Sequence, residues 1–376
     1  MSRAAGASGA TPLARLLAAR IAAEGPIGVD AYMQACLQHP IHGYYRRQPA
    51  IGRSGDFVTA PEISQVFGEL IGLWCAVVWQ QMGRPGNVRI VELGPGRGTL
   101  MVDALRAARL VPAFHSAASV ELVEINPTLI AAQRACLTDA AVPIRWSDDL
   151  RPSSAPSIVI ANEFLDTLAV AQWVFRDGRW RTRGVGLDAS GELAFVEDCG
   201  SDEPSLSPPP GIATSSDGDI FETRAPAFAD WVAKLTALGA PTAALFIDYG
   251  HAQPALGDTL QAISGHRYDD PLRAPGESDL TAQVDFAAFA AAARDHGFYC
   301  DGPLAQGEFL GRLGIVERAS LLMAANPAKA LEIESGALRL MSPGGMGSRF
   351  YALGVRSKGL APLPGFDRVD SGVGAP

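Results

Sequence analysis

The sequence predicts an α/β fold built on a doubly wound, mostly parallel β-sheet. Short apolar runs with the composition of buried strands alternate with helical patterns along most of the chain, which is typical of this class. One of these strands leads directly into a glycine-rich loop and a helix, a connection that many ligand-binding sheets use. The predicted strands are 88–93, 119–124, 143–146, 157–162, 242–248 and 350–355.

The residues before the first of these strands predict an N-terminal helical region, because apolar residues recur there at helical spacing. Pro61 suits the first turn of a helix, where its missing N–H costs nothing. Arg15 and Arg20 interrupt the first apolar segment and exclude the core of a signal peptide, so an amphipathic helix is favoured over a transit peptide. The predicted helices are 13–23, 29–37 and 62–81.

A segment in the middle of the chain breaks the alternation. In residues 172–181 the types of side chain alternate on either side of an Asp177-Gly178 turn. This pattern predicts a two-residue β-hairpin. Residues 200–218 have the composition of a surface loop, and 221–238 predict a helix. We therefore expect an inserted hairpin-plus-helix subdomain on the substrate side. The predicted division is an N-terminal helical cap (1–85), a ligand-binding α/β core (86–170 and 241–360), the insertion (171–240) and a disordered tail (361–376).

Composition limits the classes of function. The 376 residues are 48% hydrophobic and 19% charged, which supports a sizeable core, and the net charge of −9 disfavours a nucleic-acid groove. No apolar run reaches the roughly 18 residues of a membrane helix, so we expect no stable membrane insertion. The five scattered cysteines indicate reduced thiols in a cytosol-like compartment, and no histidine has metal-ligand spacing, so we expect no metal.

The loop from Glu92 to Gly98 is the most informative motif. Gly94, Gly96 and Gly98 allow positive φ and let a ligand approach the backbone closely, beside the free amides of the next helix. Glu92 would repel a pyrophosphate but suits a ligand that carries an ammonium and a sulfonium. Thr99 occupies the third glycine position of the dinucleotide motif, which disfavours an NAD-dependent oxidoreductase. The loop therefore predicts S-adenosylmethionine as the ligand.

Acidic and polar residues at the next strand ends extend this donor site. Glu124 ends the strand after the loop and can accept the ribose hydroxyls, as the acidic residue of dinucleotide folds does. Asp148 or Asp149 follows the next strand and is expected at the adenine edge. Asn162 ends the strand 157–162 at the same edge, and we assign it to the donor site.

Two carboxylates after this strand are the candidate catalytic residues. Glu163 and Asp166 lie one turn apart if the chain becomes helical there, so both could reach one pocket. Carboxylates orient a nitrogen acceptor through charge-assisted hydrogen bonds and can remove its proton. The alternative is that Asp166 or Asn162 caps the next element.

The candidate substrate-binding residues lie in two further segments. Asp56, Thr59 and Glu62 belong to a polar loop before the third predicted helix. The alternative for this loop is a capping box, in which Thr59 holds the helix amides and Glu62 reaches back. Tyr249 and His251 follow the strand 242–248, where His251 would act as a base or as a hydrogen-bonding anchor.

Five blocks of the sequence, in order, resemble the MidA family of S-adenosylmethionine-dependent methyltransferases, which includes a mitochondrial complex I assembly factor acting on arginine. The resemblance implies a class I methyltransferase (Rossmann-like) fold. It also implies ω-N-methylation of an arginine in a protein substrate, such as the 49-kDa-type subunit of NADH dehydrogenase. The blocks are 55–68, 92–98, 162–166, 248–251 and 279–286.

The absence of a long N-terminal transit sequence favours a bacterial cytoplasmic protein, with the mitochondrial matrix as the alternative. We also expect a protein partner, no nucleic acid, and a homodimer. Two functional alternatives share the donor site: a small-molecule N- or O-methyltransferase, and an assembly factor that binds the donor without catalysis.

Overall fold

The computed structural model describes residues 11–47, 59–198, 215–239, 241–264 and 267–366. The helices in these ranges are α1 (Pro12–Glu24), α2 (Val29–Gln38), α3 (Tyr44–Arg47), α4 (Ala60–Ile63), α5 (Gln65–Gln81), α6 (Thr99–Ala108), α7 (Pro112–Ala117), α8 (Pro127–Cys136), α9 (Ala225–Thr236), α10 (Phe286–Asp295), α11 (Gln306–Arg312), α12 (Ile315–Ala325) and α13 (Ala330–Met341). Single 3-10 turns cover Leu165–Thr167 and Pro327–Lys329.

The strands of the described residues are β1 (Ile27–Gly28), β2 (Val88–Leu93), β3 (Ala118–Val123), β4 (Ile144–Ser147), β5 (Ser157–Asn162), β6 (Ala171–Arg176), β7 (Arg179–Leu187), β8 (Leu193–Glu197), β9 (Ile220–Thr223), β10 (Thr242–His251), β11 (Gln261–Ser264), β12 (Arg267–Asp269), β13 (Asp279–Thr281), β14 (Val284–Asp285), β15 (Tyr299–Ala305) and β16 (Phe350–Arg356).

The main sheet has the order β4-β3-β2-β5-β10-β16-β15, and β14 pairs with the end of β10. The strands from β4 to β10 are parallel, whereas β16 runs antiparallel to both of its neighbours. The direction of winding reverses between β2 and β5, and ligands of such sheets bind at the carboxyl ends of the strands beside this reversal. The predicted doubly wound, mostly parallel sheet is therefore confirmed.

Apolar helices cover both faces of the main sheet. On one face α5 and α6 pack over β2 and β5, and the side chains of Phe67 and Trp74 are fully buried. Gly72 allows this close packing, because an added Cβ would lie 2.3 Å from the Ala104 carbonyl oxygen. On the other face Phe228 of α9 packs edge-to-face on Phe289 of α10. Each such large side chain contributes roughly 1.5–3 kcal/mol of hydrophobic stabilisation.

A separate apolar cluster joins the N-terminal helices to two smaller sheets. Leu13 of α1 and Tyr32 of α2 pack with Val185 of β7, Ala262 of β11 and Leu280 of β13. The smaller sheets have the orders β1-β7-β6-β9, with β8 beside β7, and β12-β11-β13. Thus α1 and α2 pack here, whereas α5, which the sequence assigns to the same N-terminal cap, lies in the core of the main sheet. The division into cap, core and insertion remains a prediction.

The inserted segment contains the predicted hairpin and helix, with one different boundary. Asp177 and Gly178 both have positive φ (49° and 76°), and Arg176 pairs with Arg179, as expected for a two-residue hairpin. The helix begins at Ala225 and not near 221, because Ile220–Thr223 pairs with β6 as strand β9. The predicted surface loop 200–218 and the predicted tail lie mostly outside the described residues.

Candidate functional site

The carboxyl ends of the parallel strands border a cleft of about 470 Å³. The glycine-rich loop after β2 forms one wall, and residues after β3 and β4 form a second. Gln38 of α2 and Tyr45 of α3 line another side, so the N-terminal helices help to close the cleft. Its size is that of a pocket for a nucleotide-sized ligand.

A smaller pocket of about 40 Å³ adjoins this cleft. Its lining contains the carboxylates Glu62, Glu92 and Glu163, together with the side chains of Thr99 and Asn162. Gly94, Gly96 and Glu163 line both spaces, so the two meet beside the glycine-rich loop.

The glycine-rich loop has the backbone conformation that its sequence predicts. Gly94, Gly96 and Gly98 all have positive φ, at 62°, 53° and 85°. Gly98 is the N-cap of α6 in the left-handed conformation. An added Cβ at Gly94 would lie 3.1 Å from the Phe164 ring. The positive φ therefore favours glycine at position 94, and a larger residue there would press on the Phe164 ring.

Glu124 is held in place by three hydrogen bonds. Its Oε1 accepts from the backbone amides of Ile125 and Asn126, both at 2.8 Å, and its Oε2 accepts from Gln133 Nε2 at 3.2 Å. Burial raises the pKa of Glu124. The carboxylate lines the larger cleft, where the sequence places the ribose.

Gln133 connects this carboxylate to the glycine-rich loop and was missed by the sequence analysis. It is fully buried in α8, and its Nε2 also donates to the Gly96 carbonyl at 2.7 Å. Its Oε1 accepts from Trp146 Nε1 at 2.9 Å. A glutamine in an amphipathic helix carries no motif, so only the long-range contacts reveal its role.

Asp148 and Asp149 line the larger cleft at its solvent-exposed rim. Their side chains are 76% and 52% exposed and pair with Arg151 at 2.8 Å and Lys234 at 2.6 Å. The hydrogen bond from Arg151 lowers the pKa of Asp148. Both residues therefore line the cleft as ion-paired side chains, and their predicted place at the adenine edge stays a prediction.

The inserted segment supplies an aromatic wall that the sequence analysis did not anticipate. Trp231 of α9 packs edge-to-face against Phe164, with ring centroids 4.8 Å apart and an interplanar angle of 89°. The Lys234 ammonium lies 4.4 Å from the Trp231 ring centroid. All three side chains line the larger cleft, so this part of the insertion contributes to the predicted donor site.

Two buried acceptor atoms of the smaller pocket lack hydrogen-bond partners among the described residues. They are Oε2 of Glu92, a residue only 4% exposed, and Oδ1 of Asn162. An unpaired buried acceptor costs about 1–3 kcal/mol, so this arrangement suits a ligand with several N–H groups. Burial and the charge of Glu124 raise the pKa of Glu92 to about 8. A cationic ligand would favour the ionised carboxylate.

Glu163 lies at the junction of the two spaces in a strained conformation. Its φ of 52° is unusual for a non-glycine residue and costs about 1–3 kcal/mol. Its Oε1 accepts from the Ala60 backbone amide at 3.0 Å and from Asn162 Nδ2 at 3.1 Å. Burial raises the pKa of Glu163 to about 7, against the opposing effect of the Ala60 hydrogen bond. Such a carboxylate can bind a cation and accept a proton near neutral pH.

Asp166 does not share this pocket, contrary to the expectation from its spacing. It is only 5% exposed, and its backbone lies in the 3-10 turn after β5. Burial raises the pKa of Asp166 to about 6, and the nearby Arg224 charge opposes this effect. Asp166 lines neither space, although its charge contributes to the raised pKa of Glu163.

The polar loop before α5 joins the smaller pocket through Glu62. The capping-box alternative is wrong, because the Thr59 side chain makes no capping hydrogen bond. Glu62 instead accepts a hydrogen bond from the Thr99 hydroxyl at the start of α6. Thr59 also lines the smaller pocket, and Asp56 lies outside the described residues.

Tyr249 and His251 line neither space. The Tyr249 hydroxyl accepts a hydrogen bond from Gln261 Nε2 at 3.3 Å and lies behind the site with Asp166. His251 Nδ1 contacts the Gln253 carbonyl oxygen at 2.5 Å in an exposed turn. Both residues therefore lie outside the two spaces, and their substrate-binding role stays a prediction.

Among the residues that the structure describes, no group of three or more histidine, cysteine, aspartate or glutamate side chains is arranged to hold a metal ion. In the same ranges no helix combines the length and the apolar character needed to cross a bilayer.

Known proteins resemble this chain in sequence and in fold. Residues 70–304 match a family described as S-adenosyl-L-methionine-dependent methyltransferase. Protein arginine methyltransferase NDUFAF7, mitochondrial, of Danio rerio is 35% identical over 90% of this chain and 85% of its own length. The Homo sapiens protein of the same name is 34% identical over 90% and 82%. A Burkholderia thailandensis crystal structure bound to S-adenosyl-homocysteine has a TM-score of 0.83 at 28% identity, over 95% of this chain and 94% of that chain.

Proposed function

We propose that this chain, which belongs to the S-adenosyl-L-methionine-dependent methyltransferase family, methylates an arginine side chain of a protein. Family membership confirms the class I methyltransferase fold, the methyltransferase activity and the S-adenosylmethionine donor that the sequence predicts. The acceptor is the proposed part. The relatives named as protein arginine methyltransferases support it, and so does the position of Glu163 where the two spaces meet.

The described residues fit the donor. S-adenosylmethionine supplies a methyl group on a positively charged sulfur. We assign its ammonium to the unpartnered acceptors of Glu92 and Asn162. We assign its ribose to Glu124 and its adenine to the wall that contains Trp231 and Asp149. Together these carboxylates place negative charge where the ammonium and the sulfonium of the donor would lie.

Donor binding is expected to weaken as the pH falls below about 8, the value to which burial raises the pKa of Glu92. Below this pH the carboxyl of the free protein is mostly protonated, whereas a bound cation favours the ionised form. Each binding event must then release a proton, which costs up to about tenfold in affinity per pH unit. Calorimetry between about pH 6 and pH 9, in buffers of different ionisation enthalpy, measures both affinity and released protons.

Glu92→Gln is the control for this titration, because glutamine has no carboxyl to ionise. The amine of the donor itself titrates near a pKa of about 7.7–8.0, and the ratio of the two affinity curves removes that contribution. Equal pH dependence in both proteins would show that Glu92 does not face the ammonium.

The geometry of Glu163 is the main support for an arginine acceptor. Its Oε1 is occupied by Ala60 and Asn162, and no hydrogen bond to its Oε2 occurs within the described ranges. The carboxylate can therefore hold a guanidinium N–H, orient the nitrogen lone pair and accept the proton lost on methylation. Guanidinium has a pKa above about 12, so a carboxylate must direct this nitrogen. Glu62 at the smaller pocket supplies a second negative charge.

The family resemblance supplies the proposed partner, the 49-kDa-type subunit of NADH dehydrogenase, and a homodimer is proposed as well. The compartment is either the bacterial cytosol or the mitochondrial matrix. The word mitochondrial in the relatives' names favours the matrix, and the cysteine pattern suits both. Methylation of a small molecule is the alternative function, whereas family membership disfavours donor binding without catalysis.

The test is transfer of a labelled methyl group from S-adenosylmethionine into cell extract, followed by mass spectrometry. Label in ω-N-methylarginine of a protein is the expected result. Label only in the low-mass fraction would identify a small-molecule enzyme, and no label in either fraction would contradict the proposed protein acceptor. Capture of partners in the presence of the donor analogue sinefungin would identify the methylated protein.

A further inference from the structure

The turn that carries Glu163 is held by a buried carboxylate that the proposed mechanism does not use. Asp248, in β10, is fully buried, and it forms no salt bridge within the described part of the chain. Its Oδ2 accepts from the backbone amides of Phe164 at 3.0 Å and Asp166 at 3.1 Å. Its Oδ1 accepts from its own neighbour Tyr249 at 2.9 Å.

These bonds hold the backbone on both sides of Glu163. On the strand side, the Glu163 amide donates to the Ile247 carbonyl at 2.8 Å and continues the β5–β10 ladder. On the turn side, the next amide donates to Asp248. Ile247 and Asp248 therefore hold the two peptide units on either side of Glu163. Glu163 itself has the strained φ of 52°.

Arg224 binds carbonyl groups of the same turn. Its buried guanidinium donates to the carbonyls of Leu168 at 2.9 Å and Asp166 at 3.4 Å, and to those of Ala282 and Gln283. The Asp248 carboxylate thus accepts hydrogen bonds from the amides of the turn, and the Arg224 guanidinium donates hydrogen bonds to its carbonyls. This complementarity leaves the turn little freedom to relax.

An ionisable group is a costly choice for a purely structural role at this position. Burial raises the pKa of Asp248 well above its ordinary value, and the nearby Asp166 and Glu163 raise it further. A neutral acceptor would avoid this repulsion. The advantage of a carboxylate is that its two oxygens accept three amides in fixed directions.

We infer that Asp248 is the positioning residue that sets the direction of the Glu163 carboxylate toward the methyl acceptor. This inference rests on the proposed role of Glu163 in holding the acceptor. Asp248 itself lines neither space, so it does not contact the acceptor directly. Its removal should therefore slow methyl transfer even at saturating donor, with a smaller loss of donor affinity because Phe164 of the larger cleft lies on the same turn.

The experiment measures the initial rate of label incorporation into a fixed amount of cell-extract protein at saturating donor. Asp248→Ala should be about 100-fold slower than wild type, because misplacement of a catalytic group by about 1 Å costs this much. Asp248→Asn should be about 10-fold slower, since one oxygen still accepts the two turn amides. Calorimetry should give donor dissociation constants within about tenfold of wild type for both variants, so the rates can be compared at saturating donor.

Asp188→Asn is the matched control, because Asp188 also accepts two turn amides, those of Ser190 and Glu192, but in an exposed turn of the small sheet. It should leave both rate and affinity unchanged. If Asp248→Ala does not fold, Asp248→Asn carries the same comparison, with melting temperature as the measure of folding.

Combination with Glu163→Gln separates positioning from a general loss of structure. If Asp248 acts through Glu163, the double variant is no more than about twofold slower than Glu163→Gln alone. A fully additive loss would overturn the inference, as would a wild-type rate in both Asp248 variants. A normal rate in Glu163→Gln would instead contradict the proposed acceptor site, and absence of label with wild type would refute the proposed function and this inference with it.

Discussion

Replacement of Gly96 by valine is expected to weaken S-adenosylmethionine binding about 100-fold or more, equivalent to about 2.7 kcal/mol. Gly96 lines both the larger cleft and the smaller pocket and has a φ of 53°. A β-branched residue rarely adopts this conformation, and its side chain would fill space that the loop leaves for the ligand. The shift would also disturb the 2.7 Å hydrogen bond from Gln133 to the Gly96 carbonyl. Isothermal titration with the donor measures the effect.

Gly83→Val is the matched control for strain alone. Gly83 follows α5 and has a similar positive φ of 86°, but an added Cβ there meets no atom within 4 Å. Both variants should lower the melting temperature, and only Gly96→Val should lose the donor. Unchanged donor affinity in Gly96→Val would place the methionine part of the ligand elsewhere.

The sequence predicted the central strands because their signals are local. Apolar runs of strand length located β2 and β5 at their observed ends and the other central strands within a few residues. It missed β15, because Gly302 and Pro303 lie inside this strand and normally indicate a loop. The third predicted helix is two helices, α4 and α5, because Ser64 has an extended conformation that only tertiary packing makes evident.

In the candidate site, too, local signals were predicted from the sequence and features that depend on tertiary contacts were not. The conformation of the glycine-rich loop, the position of Glu92 in the smaller pocket and that of Glu124 in the larger cleft follow from their place at strand ends, which the sequence shows directly. Spacing alone suggested that Glu163 and Asp166 face one pocket. The left-handed φ of Glu163 directs the two side chains differently, and no pattern announces that conformation. Trp231 reaches the cleft only through the packing of an inserted helix, and Asp248 acts only through long-range hydrogen bonds.

Replacement of Glu163 by glutamine should slow methyl transfer about 100- to 1,000-fold, the size expected for loss of a general base with its electrostatic contact. Glutamine is nearly isosteric, and its carbonyl oxygen can still accept from the Ala60 amide, so the loop before α5 should stay in place. It cannot attract a guanidinium by charge or accept its proton. The initial rate of label incorporation at saturating donor measures the loss, and calorimetry should show donor affinity within about threefold of wild type.

The pH profile strengthens this test, because burial raises the pKa of Glu163 to about 7. The carboxyl is increasingly protonated below this value, so the wild-type rate should fall with decreasing pH through that range, and the residual Glu163→Gln rate should not. Glu197→Gln, which removes an exposed carboxylate paired with Arg176 on the small sheet, should match wild type in rate and profile. A Glu163→Gln rate within twofold of wild type would mean that another group directs the acceptor. Glu62, another carboxylate that lines the smaller pocket, would then be the residue to replace.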